Sequence, residues 1–180
     1  MFPTVGPAIR RAFFASAVAL FIAPLLRAHD PYETWTSATL RPAELTIELT
    51  MNQATALRLI DPTAKIRGLT LENLETHRPA LEREAAAFFI VTAGRTPLKT
   101  KKIEVELTEE NDVAFKLVYP RPPPGRLHFH AAFMKKLGEG YGGILEVADT
   151  EGNHLGWEQL TFENPNLEVV APAPGATKKP

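Results

Sequence analysis

The feature that most constrains this chain is strict two-residue alternation. Leu45, Ile47, Leu49 and Met51 alternate with Glu44, Thr46, Glu48 and Thr50. Side chains of an extended chain point to opposite faces in turn, so the pattern predicts a strand with one dry face and one wet face. Ile103, Val105 and Leu107 alternate with Glu104 and Glu106 in the same way. Val113, Phe115, Leu117 and Tyr119 follow the turn Glu109-Glu110-Asn111-Asp112, which predicts a hairpin. Leu127, Phe129, Ala131 and Phe133 form another apolar file. With Glu33–Leu40, Phe88–Thr92, Ile144–Ala148, Trp157–Phe162 and Leu167–Val170, the reading gives about nine strands. One wet face per strand points to antiparallel sheets. The predicted fold is mainly β, an antiparallel immunoglobulin-like β-sandwich with a short helical insertion at about 53–87.

Within that insertion, Gln53–Ile60 predicts one short helix before the Asp61-Pro62 turn. Thr70–His77 predicts a further turn of helix. The run of helix formers Pro79–Ala87 is read as a separate helix with proline in its first turn, because an interior proline removes a backbone donor. The proline-rich stretch Pro120–Gly125 predicts a stiff, extended connection. Asp149–Asn153 reads as a hairpin turn. It lacks the spacing and the terminal glutamate of a calcium loop.

The N-terminus sets the compartment. Arg10 and Arg11 precede an uncharged run from Ala12 to Leu26, followed by the small residue Ala28. At about 15 residues the run is short for a bilayer span and has the plan of a secretory signal peptide. The predicted domains are a signal peptide over 1–28, a β-sandwich over 29–170 and a disordered tail over 171–180. The Arg10-Arg11-Ala12-Phe13-Phe14 stretch also resembles a twin-arginine export signal, with Ile9 where a polar residue is usual, so both export routes stay open. The expected location is periplasmic or secreted, with no membrane span after cleavage.

Cleavage after Ala28 would remove three arginines and no acid, taking the formal charge from −1 to −4. Without a basic excess, nucleic acid is not an expected partner. The absence of cysteine excludes disulfides, thiolate metal sites and cysteine nucleophiles. No nucleophile elbow, phosphate loop, zinc-protease motif or dinucleotide fingerprint occurs, so a non-catalytic protein is expected.

Cleavage would also make His29 the first residue. An N-terminal histidine joins an α-amine and an imidazole on one residue, a nitrogen-rich set suited to copper or nickel. His128 and His130, two apart on a predicted strand, project from one face about 7 Å apart at their Cα atoms. His29, His128 and His130 are therefore the candidate metal ligands, with Asp30 and Glu33 as neighbouring acceptors or a third ligand. His154 in a turn and His77 beside a helix boundary read as solvated or capping groups. Tyr32, Trp35 and Trp157 read equally as packing or as a ligand platform.

Ala28-His29-Asp30-Pro31-Tyr32-Glu33, the Ala/Leu-rich helix, the Tyr119-Pro120 to Leu127 turn-strand, and Leu145-Glu146-Val147-Ala148-Asp149 leading to Gly152-Asn153-His154-Leu155-Gly156 form a wider pattern. It resembles the extracytoplasmic domain that precedes the membrane helices of HupE/UreJ-type bacterial proteins, over most of residues 28–170. This chain lacks the apolar spans that would conduct an ion, so transport does not carry over. The resemblance implies an exported domain acting beside a membrane metal-handling protein. A second likeness, in architecture alone, is to small periplasmic copper carriers of the CopC type. The reading from sequence is an exported β-sandwich that presents copper or nickel. Its alternative is an envelope protein–protein interaction module with no metal.

Overall fold

The computed structural model describes residues 32–63 and 68–173. The expected signal peptide over 1–28, His29, Asp30 and the last seven residues lie outside them. The described residues form two facing sheets, as the alternation predicts. Ten strands are present: β1 (Glu33–Leu40), β2 (Glu44–Met51), β3 (Phe89–Ala93), β4 (Thr96–Pro97), β5 (Lys102–Leu107), β6 (Val113–Pro120), β7 (Gly125–Ala131), β8 (Gly142–Asp149), β9 (His154–Thr161) and β10 (Asn166–Ala171). Three helices accompany them: α1 (Gln53–Ile60), α2 (Leu71–Ala85) and α3 (Phe133–Leu137).

The larger sheet has the order β5-β6-β2-β1-β8-β9 and the smaller one β10-β7-β3-β4. Every pairing is antiparallel except that of β1 with β8. The expectation of purely antiparallel sheets is corrected there. The long stretch of chain between β1 and β8 supplies the crossover that a parallel pair requires. Ala171 closes β10 as a buried residue, one position past the expected domain end.

The core lies between the sheets. Leu45, Ile47, Leu49 and Met51 of β2 and Leu127, Phe129 and Ala131 of β7 belong to it, all essentially inaccessible. At one end Phe88 packs edge-on against Phe115, with ring centroids 5.0 Å apart, and lies 5.6 Å from Phe133. Phe133, expected in the β7 file, instead begins α3.

The insertion also departs from expectation. A single helix runs from Leu71 to Ala85 with Pro79 inside it. Thr70 and Asn73 form a reciprocal capping box at its start, and Leu74, Leu81 and Ala85 are buried on either side of the proline. Burial of that face and the cap outweigh the missing amide bond to the Glu75 carbonyl. The helix lies along the edge strand β5, where the Arg78 guanidinium donates to the Val105 carbonyl and pairs with Glu75 at 2.6 Å. Among the described residues, no helix is long and apolar enough to cross a membrane.

Candidate functional site

Three surface regions bear on function. The first is the outward face of β7. Leu127, Phe129 and Ala131 point inward, so His128 and His130 share the opposite, half-buried face. The spacing predicted this. His130 lies between Asn166 on β10 and Ile90 on β3, and its Nδ1 is 2.8 Å from the Asn166 Oδ1. His128 lies between Glu168 and Thr92, while Glu168 pairs with the Arg126 Nε at 3.2 Å. His29 and Asp30 fall outside the described residues. Glu33, expected as an acceptor beside His29, points outward from the larger sheet, away from the two histidines on the smaller one. Among the described residues, no group of three or more His, Cys, Asp or Glu side chains is arranged to hold a metal ion.

The remaining described histidines and the acidic turn lie away from this face. His154 opens β9 and lies 3.1 Å from the Glu146 carboxylate. His77 sits within α2, half-buried, and not at its boundary. In the Asp149–Asn153 turn, the Asp149 carboxylate accepts hydrogen bonds from the Glu151 and Asn153 amides at 3.0 and 2.8 Å. It also accepts one from the Asn153 side chain at 2.8 Å, the main cause that holds this carboxyl below its ordinary range. Those bonds make it a turn-forming group.

The second region is a cavity of about 460 Å³ where α2 meets β5 and β6. Its walls mix Arg78 and Lys116 with Glu48, Glu82, Glu104 and Glu106. Much of this charge is already matched within the protein. Lys102 pairs with Glu104 at 2.6 Å and Lys116 approaches Glu48 at 3.9 Å. Arg78, Lys116, Glu48 and Glu104 are thus paired, which leaves Glu82 and Glu106 as the acidic excess of the wall.

The third region is a cleft of about 300 Å³ on the outward face of the larger sheet, and it stands out chemically. Trp35 on β1 and Trp157 on β9 border it, 52% and 61% exposed. They are the only two tryptophans in the chain. Strand β8 runs between them: Ile144 pairs with Trp35, and Glu146, two residues on, pairs with Trp157. Two interstrand spacings and one same-face step place the two Cα atoms roughly 12 Å apart. Ile144, paired with Trp35 and Gln159, forms the floor, and the outward Gly142 adds no side chain beside Glu33. Glu33 and Gln159 are the ionised and amide groups of the wall.

Next to Glu33 and Gly142 in sequence, Tyr32 meets Tyr141 edge-on at 5.1 Å, and the Arg58 guanidinium lies 5.8 Å over the Tyr141 ring. Sequence reading left both tryptophans between packing and platform. Their phase carried the missing signal: Trp35 shares parity with Glu33 and Ser37, whereas Thr34, Thr36, Ala38 and Leu40 form the buried file.

No family model matches the chain, and no curated protein matches it.

Proposed function

We propose that this chain is an exported, non-catalytic β-sandwich whose larger sheet docks a protein partner in the cell envelope through the Trp35–Trp157 cleft. The observation that carries this reading is the exposure of both tryptophans on one cleft. A large aromatic side chain gains most from burial, and interface anchors are enriched in tryptophan. A cluster of exposed aromatic surface on an otherwise well-packed sandwich is the kind of patch that marks a contact site. The leader pattern and the HupE/UreJ-type resemblance support an envelope partner that handles metal at the membrane.

The test is site-specific photo-crosslinking in cells making the full chain. A photoreactive phenylalanine at Gln159, on the cleft wall, is expected to give an adduct of discrete mass. The same residue at Glu110, in the β5–β6 turn, is expected to give none. Equal labelling at both positions, or none at Gln159, overturns the reading.

The second reading, copper or nickel presented by His29 with His128 or His130, is favoured by one observation: the two strand histidines share an outward face.

A further inference from the structure

The cleft belongs to a face with a strong charge bias. The strands of the larger sheet turn the carboxylates of Glu33, Glu44, Glu48, Glu104, Glu106 and Glu146 outward. Against these six stand two outward ammonium groups, Lys102 and Lys116, both at the far side on β5 and β6. Arg78 borders that far side too, already paired with Glu75. Strands β1, β8 and β9 carry no lysine or arginine, and Glu146 there lies 3.1 Å from the His154 imidazole. Glu33 is the one ionised residue lining the cleft, and no cation of the described residues forms an ion pair with it. A ligand entering between the indoles meets two aromatic walls and one carboxylate.

That combination selects a cation. The face of an indole ring is negative, and an ammonium or guanidinium within about 6 Å of it is attracted, more so when partly desolvated. A lysine or arginine also carries an apolar stem, which can lie against the rings and Ile144 while its head reaches Glu33. Arg58 over the Tyr141 ring, at 5.8 Å, is a contact of this kind elsewhere in the same molecule. Because the acidic surface extends across several strands beyond the cleft, complementarity favours an extended basic segment over a lone amine. We infer that the partner presents a basic segment, one lysine or arginine of which enters between Trp35 and Trp157 against Glu33. This inference rests on the docking reading above and adds the chemistry of the partner.

The two tryptophans make the site self-reporting, since all indole emission of the chain arises from the cleft walls. Full-length protein titrated with acetylated pentalysine amide is expected to show a saturable change in tryptophan emission, with apparent affinity falling as salt is raised. Pentaglutamate is expected to produce none. Glu33→Gln, an exposed change whose folding is checked by circular dichroism, is expected to weaken pentalysine binding about tenfold.

The inference is overturned by no saturable response to pentalysine, an equal response to pentaglutamate, or unchanged affinity in Glu33→Gln. Acetyl-lysine amide binding as tightly as pentalysine would assign the cleft to a small amine and overturn the segment. Emission that varies with protein concentration alone, with dimers in sedimentation, would assign it to a second copy and overturn the inference likewise. A crosslink at Gln159 without a pentalysine response removes the basic segment and leaves the docking face. Pentalysine binding without any crosslinked protein removes the docking reading and leaves the cation site.

Discussion

The Nδ1 of His130 lies 2.8 Å from the Oδ1 of Asn166 on the neighbouring strand. With that oxygen as acceptor, the imidazole proton sits on Nδ1, and Nε2 presents the lone pair that a metal would use. On the metal reading, protein beginning at His29 binds Cu(II) more tightly than protein beginning at Met1, whose His29 amine is held in a peptide bond. The His128→Ala, His130→Ala double variant of the His29-initiated protein is expected to lose that gain in isothermal titration calorimetry. Equal, weak binding by all three proteins removes the reading.

Gly143 of β8 pairs with Thr34 of β1 so closely that a methyl group has no room. A Cβ there would fall 2.5 Å from the Thr34 carbonyl oxygen, which is backbone and cannot rotate away. Gly143→Ala is expected to lower stability by about 1–3 kcal/mol, read as a fall in the urea midpoint. Adding Thr34→Ala removes the hydroxyl and not the carbonyl, so it is expected to leave most of the loss in place. An unchanged midpoint in Gly143→Ala would refute the close approach.

Pro79 is exposed in the middle of α2 and leaves the Glu75 carbonyl without its helical donor. Pro79→Ala restores that amide in a helix already capped and packed. Its expected effect is stabilisation by about 1–2 kcal/mol in denaturant unfolding, somewhat less than the full interior penalty because proline also restrains the unfolded chain. Destabilisation would show that the proline ring itself makes a favourable contact.

Asp149 supplies a pH test. Hydrogen bonds, first from the Asn153 side chain and then from backbone amides, hold its folded carboxyl below the ordinary range. A depressed folded value contributes stability that is present above the unfolded value, near pH 4, and lost as pH falls through the folded value. Wild type is therefore expected to lose stability relative to Asp149→Asn between about pH 5 and pH 2. Unfolding curves at matched pH check this, since the lowered carboxyls of Asp61, Glu75 and Glu104 are common to both proteins. Parallel pH profiles would refute it.

Local periodicity carried most of the fold. Leu45 to Met51 and Val113 to Tyr119 are strands because their apolar residues recur every second position, and the structure buries those files. The shared face of His128 and His130 follows from the same rule. The continuity of α2 through Pro79 was not legible, because what holds it is burial of Leu74 and Leu81 by neighbours distant in sequence. Nor was the parallel seam of β1 and β8, since alternation tells which face is dry and not which strand lies alongside. The cleft was half legible. Parity places Trp35 and Trp157 outward, but only the strand order brings β1 and β9 to either side of β8.

The β1–β8 seam has a consequence in time. Thr34 and Gly142, joined by a hydroxyl-to-carbonyl bond, are 108 residues apart. During synthesis β1 can zip onto β2 at once, but its other edge stays open until nearly the whole body has emerged. Such a non-local pairing must wait for its partner and bears a large loop-closure entropy. The larger sheet is thus two flanks joined at its middle, so the Trp35–Trp157 cleft, which spans that seam, cannot form before β8 and β9 have joined β1.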